Sequence, residues 1–198
     1  MNGTFFDIGL GLGLATACGV RPYLPPLLAG ALASSAALHV SFRGHFHFLQ
    51  SGWWLLIVVV VLAGTYLAQL RMGAERFDAA ASGMLAAHCI AGGALLFAGT
   101  LAGHGELWWP GLPAGAAAAA LARGAVAPVL RGARSRLSDR AAREALTVYF
   151  DAASLTLAGL VALLHPLGYI APVLAGWLLL RARARTRTKY AGLRIMRR

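Results

Sequence analysis

Long apolar blocks separated by short polar stretches dominate the chain, and no strict helical or strand period runs through them. Seven blocks can be drawn, at about 4–20, 25–42, 52–70, 79–102, 113–130, 145–164 and 168–180. The stretches 52–70, 79–103 and 152–164 are almost free of formal charge, as crossing about 30 Å of hydrocarbon requires. A membrane β-barrel would instead show short segments that alternate apolar with polar residues. The pattern predicts an all-α protein: a polytopic transmembrane bundle of about seven helices over residues 1–180, followed by a basic cytoplasmic tail at 181–198. A 3+3+1 scheme would set helices 1–3 and 4–6 in opposite orientations, the inverted repeat of many transporters, although the two halves show no residue-level match.

Two places strain this count. The stretch 152–180 is either one tilted helix broken at Pro166 or a hairpin turning at His165-Pro166-Leu167-Gly168. The hairpin keeps Arg143 and Arg181 on the same side and is preferred. Arg21-Pro22-Tyr23-Leu24-Pro25-Pro26 must interrupt any helix through it. It is either a tight cytoplasmic turn or the break of a re-entrant segment, which membrane depth tolerates only where backbone is buried in protein or lines a wet cavity.

Charge changes the picture more than composition does. Of the 198 residues, 59% are hydrophobic and 13% charged, where a soluble domain carries nearer a quarter charged residues. The net charge of +11 is one-sided. Arg71 and Arg76, five arginines between Arg131 and Arg143, eight basic residues from Arg181 onward and Arg21 fall on one side, while the other side keeps Arg43. The positive-inside rule then expects the plasma membrane of a bacterium, with the N-terminus out and the C-terminus in the cytoplasm. Sidedness accounts for the basic residues without nucleic acid, and the tail is expected to touch anionic lipid headgroups. The first residues lack a basic leader and cleavage site, so the first block is expected to stay as a membrane helix.

The tryptophans of Trp53-Trp54 and of the loop 104–110 suit an interfacial belt on the outer side. Gly9 with Gly13, Gly99 with Gly103, and the run 115–120 offer small faces for close helix packing. The same faces suit homo-oligomers, with packing inside one chain the expected use. Cys18 and Cys89 read as small packing residues.

The opening Gly9-Leu10-Gly11-Leu12-Gly13-Leu14-Ala15-Thr16-Ala17-Cys18-Gly19, running on through Val20-Arg21-Pro22-Tyr23-Leu24-Pro25, and the ending Lys189-Tyr190-Ala191-Gly192-Leu193-Arg194 resemble the bacterial membrane proteins grouped as domain of unknown function 4126. The resemblance implies fold and location and no settled activity. That family carries acidic residues with a proline just after its third helix. The corresponding region here reads Gln69-Leu70-Arg71-Met72-Gly73-Ala74-Glu75-Arg76-Phe77-Asp78, a departure that puts any role of those groups in doubt.

Ionisable groups inside a membrane are costly, so each is a candidate site. At 1.5 Å per residue, Arg123 lies roughly 12 Å, Asp151 about 10 Å and His88 about 14 Å from the cytoplasmic ends of their helices. Arg123 and Asp151 are expected to pair across the hairpin of their helices, either lining a polar cavity for an ion or joining two helices. Arg21 and Tyr23 beside three prolines form a second candidate, suited to a phosphate or carboxylate, or else an arginine reaching the interface at a turn. Asp7 and His39 share one level near the outer end. His45 and His47 lack the further ligands that zinc needs, so no metal is expected. No Ser-His-Asp set, Walker loop or dinucleotide motif is present, and neither enzymatic activity nor a cofactor is expected. The reading that remains is a transporter or channel for a small solute or ion. The alternatives are a lipid flippase or scramblase, predicted to have a bilayer-facing groove near Arg21, and a non-transporting scaffold or assembly factor.

Overall fold

A computed structural model describes residues 3–195, and every regular element among them is helical. The helices are α1 (Thr4–Val20), α2 (Leu24–Ser34), α3 (Gly52–Met72), α4 (Ala74–Ala80), α5 (Ser82–Gly103), α6 (Gly111–Arg134), α7 (Arg140–Leu163) and α8 (Leu167–Ile195), with a 3-10 turn at Gly44–Gln50. Four stretches are long and apolar enough to cross a membrane: Gly52–Met72, Ser82–Gly103, Gly111–Arg134 and Ala141–Leu163. The protein is therefore a membrane-embedded helical bundle. The side chains of the 189–194 motif lie outside the described residues.

Contacts along α1 set the direction of its neighbours. On α7, Ser154 donates to the Ala17 carbonyl and Val161 faces Gly13, so the two helices run antiparallel. On α5, Gly92 faces Cys18 and Phe97 faces Gly11, again antiparallel. On α8, Gly168 packs on Gly9 and Gly13, while Ala175 packs on Ala122 of α6, whose own neighbour is Gly19. The helix α8 therefore descends beside α1, and the chain reverses at Leu164-His165-Pro166. The preferred hairpin is present. Past Leu180 the helix continues without a break, so the basic stretch begins as an extension of α8 rather than as a separate segment.

Two ends result. The chain start, the 35–50 segment, the α5–α6 loop and the α7–α8 turn share one end. Helix α4 and the arginines at 71, 76, 131, 134, 143, 181 and 183 share the other, the basic end.

The expected helix at 25–42 is corrected. Helix α2 stops at Ser34, and residues 35–43 follow an irregular course with Ala36, Leu38 and His39 at φ of 53°, 55° and 58°. Left-handed backbone at three non-glycine residues is strained. Buried Val40, Phe42 and Leu49 hold it by filling the space above the short helix. The chain directions alternate as a 3+3+1 scheme requires, but the continuous 24-residue α6 has no interruption to match that of α2.

Candidate functional site

The proline-rich break between α1 and α2 lies inside the bundle. Its level follows from its partners: Tyr66 stands five residues before Arg71, and Asp151 seven after Glu144, which puts Arg21 about 8–10 Å inside the basic end. Pro22, Pro25 and Pro26 stop α1 and start α2, because a proline lacks the donor a helix interior needs but is tolerated in a first turn. Of the two readings of this motif, the structure favours the re-entrant break: α1 enters from the far end, turns short of the basic end, and α2 climbs back.

At the break the Arg21 side chain is 8% exposed, and its Nε stands 2.8 Å from Asp151 Oδ1. The N–H is not aimed at the oxygen, so the contact is an ion pair rather than an aligned hydrogen bond. Arg21 Nη2 donates to the Thr147 carbonyl at 3.3 Å, and Tyr66 of α3 donates its phenol to Asp151 Oδ2. Thr147 also carries the network outward, its Oγ1 accepting from Arg134 Nη2 at 2.7 Å. Arg134 is 2% exposed at its side chain, and its Nη1 stands 2.5 Å from Asp78 Oδ2 on α4. A continuous charged chain thus runs Asp78–Arg134–Thr147–Arg21–Asp151–Tyr66 from the basic end to the break. A void of about 20 Å³ adjoins Arg21, Tyr66, Thr147 and Asp151, room for about one water molecule.

The expected Arg123–Asp151 pair is not formed. Helix α1 lies between α6 and α7, so these chain neighbours meet only near their basic ends, and Asp151 faces α1 instead. Arg123 is half-buried on α6 within electrostatic reach of Cys89, and has no ion pair among the described residues. His88 is exposed on α5, with Nδ1 2.9 Å from the Met84 carbonyl and its ring 5.8 Å from that of Tyr23. Tyr23 is buried beside the break, and its hydroxyl has no hydrogen-bond partner among the described residues. Of the predicted site residues, Arg21 and Asp151 come together, Tyr23 sits next to them, and His88 and Arg123 stand apart.

Sequence reasoning missed Tyr66, Asp78, Arg134 and Thr147. Asp78 lies in the stretch where the family's acidic residues are expected, and it pairs there with the buried Arg134. The signal was available: an acid just after the third helix and an arginine at the end of the fifth block are natural partners at one interface.

A second polar region opens at the opposite end. A vestibule of about 850 Å³ is lined by Asp7, His39, His47, His104, Glu106 and His165, among others. His104 Nδ1 lies 2.9 Å from the Thr100 carbonyl and 3.5 Å from Asp7 Oδ1, and Nε2 lies 3.2 Å from the carbonyl of His39. Asp7 and His39 therefore meet through His104 rather than directly. Burial lowers the pKa of His165 in the α7–α8 turn, outweighing its bond to the Leu38 backbone and the charge of Asp7, which raise it. Between the vestibule and the break lie Leu10, Leu14, Ala158, Val161 and Ala162, all buried, and the hydroxyls of buried Thr16 and Ser154 in this layer are bound to the Leu12 and Ala17 carbonyls.

No curated protein and no solved structure matches the chain. The model of the family described as "Domain of unknown function (DUF4126)" matches residues 8–185, most of the chain and the whole of the bundle's buried charge network. The protein belongs to that family.

Proposed function

We propose that this membrane protein transports a proton or a small ion, with Asp151 carrying the proton or facing the ion and Arg21 and Tyr66 setting its state. The observation that supports this reading is the ion pair at an in-bundle helix break. Broken helices at membrane depth are the device by which transporters hold ions, and a buried ionisable pair is costly unless put to use. The void beside the pair admits about one water, a size that suits a proton or bare ion better than a larger solute. A polar vestibule at one end, a charged chain at the other and an apolar plug between them are the layout of an occluded state. By the positive-inside rule we place the basic end in the cytoplasm, the N-terminus outside, and the protein in a bacterial cell membrane. We assign it no enzymatic step.

The test is flux through proteoliposomes carrying the purified protein, read with a pH dye and then with ion-sensitive dyes, against empty vesicles. Protein-dependent flux that drops at least tenfold in Asp151→Asn and persists in Arg123→Gln supports the proposal. Flux equal to that of empty vesicles, with the protein folded and inserted, overturns it.

One observation favours lipid handling as a second reading. An apolar groove of about 220 Å³ runs between α2, α3 and α5 from the break toward the far end, lined by Pro22, Tyr23, Trp54 and exposed His88. Scrambling of a fluorescent phospholipid in the same vesicles discriminates between the readings.

A further inference from the structure

Helix α3 leaves a second groove on its other flank. About 230 Å³ lies between α3 and α7, lined by Tyr66, Gln69, Leu70, Ala145, Thr147 and Val148. At the basic end this apolar groove meets a basin of about 370 Å³, which holds Arg71, Arg76 and Arg143 with Glu75 and Glu144; Ala74 and Glu144 line both. At its inner end it shares Tyr66, Gln69 and Thr147 with the void beside Asp151. The three spaces therefore follow one another from the basic-end surface to the buried ion pair.

The charges in the basin are not balanced. Arg143 is occupied, with Nη1 3.3 Å from Glu75 Oε2, Nη2 donating to the Ser138 carbonyl and Nε to the Asp139 carbonyl. Arg71 and Arg76 have neither a hydrogen bond nor an ion pair among the described residues. A basin with two unpaired guanidinium groups at the polar end of a membrane helix, opening directly into an apolar groove, has the shape and polarity of a phospholipid standing upright: phosphate at the arginines, acyl chain along α3 and α7. The groove faces lipid, since Leu70 and Val148 are each 61% exposed.

We propose that an anionic phospholipid binds here, its headgroup held by Arg71 and Arg76 and one chain lying in the α3–α7 groove against Tyr66. Seated so, it covers the approach from the basic end to the Tyr66–Asp151 bond. The proposal does not depend on the transport reading, because binding is measured without flux.

The experiment is thermal unfolding of the full-length protein in detergent, titrated with phosphatidylglycerol, with phosphatidylcholine of the same chains, and with inorganic phosphate. Phosphatidylglycerol is expected to raise Tm saturably, while phosphatidylcholine and phosphate leave it in place. The doubly substituted Arg71→Ala/Arg76→Ala protein is expected to need on the order of thirtyfold more phosphatidylglycerol, the equivalent of two arginines facing anionic headgroups. Val148→Trp, which fills the groove and leaves the arginines intact, is expected to weaken the same response. The triply substituted Arg183→Gln/Arg185→Gln/Arg187→Gln protein is expected to leave it unchanged. Equal shifts with both phospholipids, an undiminished response in the double variant, or loss of the response in the tail variant overturns the proposal; a response to phosphate alone reduces the basin to an anion site and overturns it as well.

Discussion

Helices α1 and α3 are almost equally apolar, yet they occupy opposite situations. Eleven residues of α1 are buried and it touches α5, α6, α7 and α8, whereas α3 buries one residue, Val58, along 21. The difference lies in the glycines. Those at 9, 13 and 19 bring neighbouring backbones to within a side chain's width of α1 and Gly11 makes room for the Phe97 ring, while Gly64 on α3 has open space around it. In lipid the tails are as apolar as leucine, so hydropathy decides only whether a helix enters the bilayer; small residues decide what it packs against. The two helices meet through one polar tether, Tyr66 reaching across to the Asp151–Arg21 pair at the end of α1.

That contrast can be broken from several points. The largest effect is expected at the tether's buried end: Arg21→Ala strands the Asp151 carboxylate and should cost about 3–5 kcal/mol in detergent unfolding, with Arg21→Lys recovering part of it. Loss below 1 kcal/mol would mean that water, not protein, satisfies the pair. Gly9→Leu comes next. A Cβ at Gly9 stands 2.5 Å from the His165 carbonyl oxygen, a backbone atom that cannot step aside, and the expected cost is about 3 kcal/mol by the same measurement. Tyr66→Phe keeps the packing of α3 and removes its hydrogen bond to a charged acceptor, about 1.5 kcal/mol, and should increase hydrogen exchange in α3 ahead of α1. The smallest effect is expected of Gly64→Leu, within about 0.5 kcal/mol of the parent, since nothing lies within 4 Å of its Cβ position. A large loss there, at a protein concentration where the parent is oligomeric, would place a second chain against α3.

The sequence made much of this visible, for a physical reason. Backbone polar groups in hydrocarbon must be satisfied within a helix, so each long apolar block had to be one, and α3, α5, α6 and α7 fall within a few residues of the blocks that announced them. The hairpin at Pro166 followed from the same logic joined to charge sidedness. Residues 35–43 escaped it because they are apolar enough to read as helix, while the left-handed turns at Ala36, Leu38 and His39 arise from packing that only the folded bundle supplies. Asp151 was legible as a buried charge, but its partner was not. Pairing was inferred from order along the chain, and α1 inserts between the two helices that order had joined. Arg134 hid for the opposite reason, as one arginine among many at an interface where charge sidedness already accounted for all of them.

The apolar plug between the vestibule and the break also has an electrical meaning. Asp7 and Arg21 bound it, fourteen residues apart on α1, or about 21 Å. On the transport reading, solution in the vestibule carries bulk potential down to Asp7, so the layer between the two polar regions that the voltage acts on is those 21 Å together with the roughly 8–10 Å beyond the break. Each elementary charge driven through that layer gains or loses about 2.3 kcal/mol per 100 mV. On the transport reading, any step that moves a charge between the two polar regions is geared to the membrane voltage, and the length of α1 between Asp7 and Arg21 sets the gearing.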